Sequence, residues 1–593
     1  MPSRKQLEKL TAKYMKEIRD ADAAKLSLRE YLREGLVGGA AGLIALQGMR
    51  NFRPFWAHAS HDRDGLTGSS GTANVVSPPN TPFQDPLPIL PTLSQKTLTP
   101  APTKAANIAA GEAARADHQK WDQFLPQKTY EMEEVAVSEQ FYPAVNGVPP
   151  STTWRFRDTV NGNVSPLVRA NYQEPIVVRI WNRLPAANGG FGINQVTTHL
   201  HNGHTASESD GSPVDFYDAN KFKDYHYVNM RAGFASTHAP LGDTRETMST
   251  LWFHDHRFDF TAANVYKGLA SFFLLFSADQ NQDTGNEATG FRLPSGAYDI
   301  PMILTDKVFD PATGQLFFDR FNLNGILGDK YAVNGKIQPY LNVYKRRYRF
   351  RILNGGPSRF YQLFLSNNQA FTQISSDGNL LPAAISRSSG ILLGVAERVD
   401  VIVDFTNAAT NSRIYLENRL QQTKGEGPDS QLTTPTPLVE FRVLGNPPQA
   451  DQSLIPTTLI ANPTRPASSK TRSFDFDKSR DGLWVINDQI FDPNVISFQV
   501  RQNATETWNI DGHSRDWSHP VHIHFEEFGI VNRNGSTPPP EERGRKDVVS
   551  VGNFHGDAQV KMQFRDFLGH YPMHCHNTIH EDHHMMLRWE IIP

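Results

Sequence analysis

The 593-residue chain predicts an all-β fold of three related β-sandwich domains behind an N-terminal extension, and three observations carry that expectation. Short Val/Ile/Thr/Phe runs are set among 42 glycines and 40 prolines, the composition of strands joined by turns and not of a helical bundle. The length exceeds what a single hydrophobic core supports, so the chain divides into several domains. Finally, "VVRIWNRLP" (177–185), "RYRFRILNGG" (347–356) and "ETWNIDGH" (506–513) repeat an alternating strand that ends in asparagine, at Asn182, Asn354 and Asn509. The spacings, 172 residues from 182 to 354 and 155 from 354 to 509, each suit one sandwich with long loops.

The elements follow in chain order. Residues 1–33 are densely charged and compatible with a helix, and "LVGGAAGLIAL" (36–46) is an uncharged run too short to span a bilayer but of signal-sequence length. "SLREYLR" (27–33) resembles a twin-arginine export signal lacking its first arginine, with Ala57-His58-Ala59 as a cleavage site. Export to the periplasm and retention in the cytoplasm with an uncleaved N-terminal helix are both compatible with this segment. Residues 68–117, rich in Pro, Thr, Ser and Ala, read as an extended wrapping or linking segment. The expected organisation is an extension over 1–81 and domains over 82–289, 290–455 and 456–593.

Charge and cysteine count narrow the function. A net charge of −3 from 59 basic and 62 acidic residues dispersed along the chain provides no field to attract nucleic acid or an anionic membrane. A single cysteine, Cys575, excludes an internal disulfide and leaves the redox compartment unreported.

The histidines are distributed unevenly. Of 21 in the chain, none lies between His256 and His513, so the middle repeat carries neither histidine nor cysteine. In the first and third repeats ten histidines fall into four clusters: His199 and His201 in "HLH", His254 and His256 in "HDH", His519, His522 and His524 in "HPVHIH", and His574, His576 and His580 in "HCHNTIH". Strand side chains alternate faces, so both histidines of a His-x-His pair point the same way and can share a metal cluster. The same rule sends His574 and His576 to one face and Cys575 to the other. The thiol therefore serves a different site from its two neighbours. His519 and His580 stand outside the pairs and can join Cys575, and Met585 can add a thioether, which together make the ligand set of a blue-copper centre. His204, His583 and His584 lie near the clusters as outer groups, the last two within reach of a substrate.

In kind and order the four clusters resemble those of the multicopper oxidases, laccase-like enzymes of three cupredoxin domains. The similarity runs from about residue 82 to the C-terminus, toward the bacterial spore-coat-laccase and bilirubin-oxidase branch, whose members carry segments like "HLHNGHTASESDG", "KYAVNGKIQPYLNVYKRRYRFRILN", "GVAERVDVIVDF" and "HCHNTIHEDHHMM". The resemblance implies cupredoxin-like Greek-key sandwiches and four copper ions. His519, Cys575 and His580 would bind the type 1 copper with Met585 as weak axial ligand, and His199 and His522 the type 2 copper. The type 3 pair would take His201, His254, His256, His524, His574 and His576. Electrons from a donor would pass from Cys575 to His574 and His576 and reduce O₂ to water. Asp210 and Glu581 match the positions of proton-relaying carboxylates in this branch.

The implied partners are a small aromatic reductant and O₂, without nucleic acid or membrane span; the oligomeric state is left open, with a monomer favoured. Phenols and aromatic amines fit best, with bilirubin or aminophenols as variants. A metallo-oxidase is the alternative: the third domain has no methionine-rich run for Cu(I), while Asp511, Asp516 and Asp582 are available for Mn(II). A complete ligand set argues against a non-enzymatic copper-binding coat protein. The Pro-rich loop "GSTPPPEERGRKD" (535–547) lies where relatives shape access to the type 1 copper.

Overall fold

The computed structural model describes residues 75–231, 243–320, 322–479, 482–512 and 517–593. The export-signal reading therefore lies outside the described residues, as does Asp516. Among the described residues strands dominate and form three successive pairs of larger sheets, with one small two-stranded sheet of Gln195–Val196 and Tyr217–Asp218, the β-sandwich architecture expected of the chain. Among the described residues no helix is long and apolar enough to cross a membrane.

The internal repeat has a structural counterpart. In each unit the repeated strand runs parallel to the strand that opens the unit: Ile176–Asn182 beside Lys128–Glu139, Arg347–Asn354 beside Asp299–Phe309, and Thr505–Asp511 beside Lys470–Lys478. The residues that close the three parallel pairs are Asn182, Asn354 and Asp511. Asn509, matched by sequence, sits two positions early; a shift of two preserves the alternation of faces, so the pattern alone did not expose it. Asn182 and Asn354 act alike. Each accepts from the amide two residues on, Leu184 at 3.1 Å and Gly356 at 3.1 Å, and donates Nδ2 to two carbonyls that pin the departing loop. Asn509 instead donates to Ser473 Oγ.

The second sheets of the first and third units carry the histidines on matching strands. Thr198–His201 pairs antiparallel with Thr250–Asp255, placing His199 directly across from His254. Ser518–Ile523 pairs antiparallel with Gly569–Cys575, placing His522 directly across from His574.

The middle unit buttresses both. Asp400 accepts from Thr250 Oγ1 and from Arg349, which also reaches Asp283 and Ser249. All are buried, and breaking a buried pair of this kind costs roughly 3–5 kcal/mol. Residues from Ser77 to Lys96 run extended across the first two units, bonding Asp329, Gln338 and Tyr340 before Leu167 and Thr129. The loop 535–547 packs on the middle unit through Arg387–Glu541 at 2.9 Å. Its last residue, Asp547, comes to rest against His201.

Candidate metal centre

Eight imidazoles from the two histidine sheets converge between the first and third units, every one buried. His199 and His522 meet Nε2 to Nε2 at 3.1 Å. His201 Nε2 lies 3.1 Å from His254 Nε2 and 3.0 Å from His576 Nε2. His256 Nε2 lies 3.1 Å from His524 Nε2 and 3.2 Å from His574 Nε2. Each triad mixes strands of both units. The pairs that strand alternation puts on one face converge in this one region, yet each pair splits between two subsites.

The outer nitrogens explain why the inner ones face each other. Nδ1 of His199, His254 and His522 donates to the carbonyl of Asp210 (2.6 Å), Asp255 (2.7 Å) and Asp547 (2.8 Å). Nδ1 of His524 donates to Asp210 Oδ2 at 2.7 Å, and that of His201 to Asp547 Oδ2 at 3.0 Å. Glu581 places its two oxygens 3.0 Å from His256 Nδ1 and 3.2 Å from His574 Nδ1. With an acceptor beside Nδ1 in these seven rings, their Nε2 atoms turn a lone pair inward, whereas His576 Nδ1 is buried without a partner. Burial, reinforced by the neighbouring rings, holds His199, His201, His522, His524 and His576 well below ordinary imidazole basicity. For His254 the value falls to about 3.

Such lone pairs repel unless a cation stands between them. Ligands about 2.0–2.1 Å from a shared ion in tetrahedral directions lie roughly 3.3 Å apart, close to the spacings found here. The donor set fits a cluster of metal ions.

Cys575 faces away into a second buried site. Its Sγ lies 3.5 Å from His519 Nδ1 and 3.6 Å from His580 Nδ1. Burial pushes the thiol well above its ordinary value and His519 down to about 3, so the site holds a thiol and a neutral imidazole until a cation displaces the thiol proton. Met585 is packed against this site by its backbone: Cys575 N donates to Met585 O at 3.1 Å and Met585 N to His580 O at 3.0 Å. One soft site and one all-imidazole cluster, joined through consecutive residues, suit copper.

The comparisons agree. The family described as Multicopper oxidase matches residues 461–593. The bilirubin oxidase of Albifimbria verrucaria is 33% identical over 423 residues, 69% of this chain and 68% of that protein. A laccase of Bacillus stratosphericus is 30% identical over 519 residues, 79% of this chain and 96% of that one.

The chain belongs to the multicopper oxidase family. The fold agrees with a laccase structure from Pediococcus acidilactici at a TM-score of 0.67 and 23% identity, over 87% of this chain and 95% of that one. This multicopper oxidase is a copper oxidoreductase that uses oxygen as acceptor and a small-molecule reductant.

Some of its site residues carry no mark in the sequence. Asp547, whose carboxylate joins His201 to Arg398 Nη1 (2.7 Å), stands 25 positions after His522 with no pairing pattern to flag it. Burial raises its carboxyl to about 6. Trp484 stacks on His580 with 3.6 Å between ring centroids. Of the outlying histidines, His204 is buried and bonded to Asp566 at 2.7 Å. His583 and His584 bond the carbonyls of Ile579 and Phe491. Asp582 accepts from the Ala262 amide at 3.0 Å.

Proposed function

We propose that this multicopper oxidase is of laccase type, oxidising phenolic and aromatic amine donors one electron at a time. In this reading the cupredoxin domains run over 82–289, 290–455 and 456–593, and only the first and third hold copper. His519, Cys575 and His580 would hold a type 1 copper with Met585 as weak axial ligand, and His199 and His522 a type 2 copper. The triads His201–His254–His576 and His256–His524–His574 would each hold one of the type 3 pair. Bound copper supplies the one-electron steps and the four-electron reduction of O₂ to water.

The observation that carries the reading is the strand end His574-Cys575-His576. Cys575 Sγ belongs to the soft site, while His574 and His576 present Nε2 to two different triads. A covalent path of one residue in each direction thus links donor side to oxygen side. The protons for water formation fall to Asp210 and Glu581, two of the three carboxylates that touch imidazoles of the cluster, Asp547 being the third. Asp210 Oδ1 is buried without a hydrogen-bond partner, and burial favours the protonated form of this carboxyl.

Oxygen uptake by the copper-loaded protein tests the reading, with 2,6-dimethoxyphenol, bilirubin, Mn(II) and Cu(I) as parallel donors. Faster uptake with an organic donor and water as product supports the laccase type. Uptake driven mainly by metal ions makes the protein a metallo-oxidase.

A further inference from the structure

The outward edge of His580 is already occupied. With Nδ1 turned to Cys575 Sγ at 3.6 Å, Nε2 is the nitrogen left to face a donor, and its N–H donates to the main-chain oxygen of Asn324 at 2.9 Å. Asn324 belongs to the tight turn Asn322–Gly325. Asn322 Oδ1 accepts from the amides of Asn324 and Gly325, each at 2.9 Å, and Asn322 Nδ2 donates to Gly325 O at 3.1 Å. A side chain bonded into its own turn in this way fixes the turn locally.

Three further contacts fasten the turn over the imidazole. Trp484 Nε1 donates to Leu323 O at 2.6 Å, and Lys478 Nζ donates to Asn324 Oδ1 at 2.5 Å. Gly425 lies so close that a Cβ built on it would stand 2.2 Å from Asn324 O. The Trp484 ring covers one face of His580, 3.6 Å between centroids and 22° from parallel. Lys478 rests 4.7 Å from the rings of both Trp484 and Trp517. The Asn324 carbonyl and the Asn577 amide, whose Nδ2 lies 2.9 Å from Nε2, close the edge of the imidazole, an indole closes its face, and the ring is fully buried. At the apex of the turn, Leu323 keeps 39% of its surface exposed.

We propose that the Asn322–Gly325 turn and Trp484 form a fixed roof over the type 1 site, so that donors dock on Leu323 and never bond the imidazole. The inference rests on reading His519, Cys575 and His580 as that site. The Asn324–His580 hydrogen bond is the bridge from such a donor to His580, and copper held by His519, Cys575 and His580 would take the one electron. A phenol's proton goes to solvent, because Nε2 already carries one and holds it in the hydrogen bond to Asn324 O. The roof therefore selects donors that surrender an electron by contact alone over donors that need a hydrogen bond from the ring.

Two variants loosen the roof: Gly425→Ala, which drives a methyl into Asn324 O, and Trp484→Phe, which keeps a ring on His580 but releases Leu323 O. In copper-free protein, labelling of Cys575 by a disulfide reagent reports the opening, since it is the chain's only thiol. In copper-loaded protein, anaerobic stopped-flow bleaching of the blue band compares 2,6-dimethoxyphenol with hexacyanoferrate(II), which transfers an electron without a hydrogen bond. We expect faster labelling, and a phenol rate that rises about tenfold relative to hexacyanoferrate(II). A ratio that stays within about twofold of the parent in both variants overturns the roof. Failure of the copper-site reading has its own signature, a copper-loaded parent with no blue band.

Discussion

Asp210 and Asp547 brace the histidine cluster crosswise. The main-chain oxygen of Asp210 holds His199 of its own unit at 2.6 Å, while its carboxylate holds His524 of the third unit at 2.7 Å. Asp547 mirrors it from the third unit, with its main-chain oxygen on His522 at 2.8 Å and its carboxylate on His201 at 3.0 Å. Each aspartate thus fixes one ring on either side of the seam. Asp547→Ala removes the acceptor for His201 and should weaken copper retention or activity by about 10–100-fold. Asp547→Asn keeps an acceptor oxygen and should lose far less. Copper content after dialysis against a chelator, together with turnover, checks this; an unaltered alanine variant would refute it.

Cys575→Ser takes away the thiolate and leaves every imidazole of the cluster in place. The blue absorption should vanish while the variant still binds copper in the cluster. A surviving blue band would sink the assignment of the soft site.

Met585→Leu replaces a weak thioether donor by an apolar side chain of similar volume, which removes donation to the oxidised copper and should raise the type 1 potential. Redox titration of the blue band reads the change. A potential that is unchanged or lower removes Met585 as a ligand.

Glu581 touches one imidazole of each strand pair without occupying an inner position. Glu581→Gln keeps the shape and one acceptor oxygen but abolishes proton carriage, so kcat per bound copper should fall by about 10²-fold or more while the blue band persists. Equal turnover in the two proteins would assign proton delivery elsewhere.

Lys307 offers a test away from the copper sites. Its ammonium is buried, donating to Tyr266 O at 2.6 Å and lying 4.0 Å from the Tyr266 ring. Desolvation, with repulsion from Arg155, lowers it from 10.5 to about 7. Between those values the unfolded chain binds the extra proton, so this residue makes stability rise with pH across that window. Below it both states are charged and the full cost of burial is present. Lys307→Met should therefore raise the thermal midpoint by about a few degrees at pH 6 and by less near pH 10. A gain that grows with pH would contradict the argument.

Much of the site was legible because its logic is local. The period-two rule needs only a strand and a spacing, and it sorted Cys575 from His574 and His576 before any fold was known. The repeat was legible for the same reason but only to within a step of two. The turn bonds of Asn182 and Asn354 have no counterpart at Asn509, whose side chain reaches Ser473 instead, and Asp511 closes the third pair.

The sequence by itself therefore singled out the residues that could offer ligand atoms and set thiol and imidazoles on opposite faces, since both follow from covalent order and backbone geometry. Only the tertiary structure decided how the eight imidazoles divide, with His201 meeting His254 and His576 while His256 meets His524 and His574. It alone brought Asp547 to His201 and laid Asn324 and Trp484 over His580. Those contacts join residues as far as 375 positions apart. They depend on how separate sheets face one another, a relation set by packing between units and carried by no local pattern of residues.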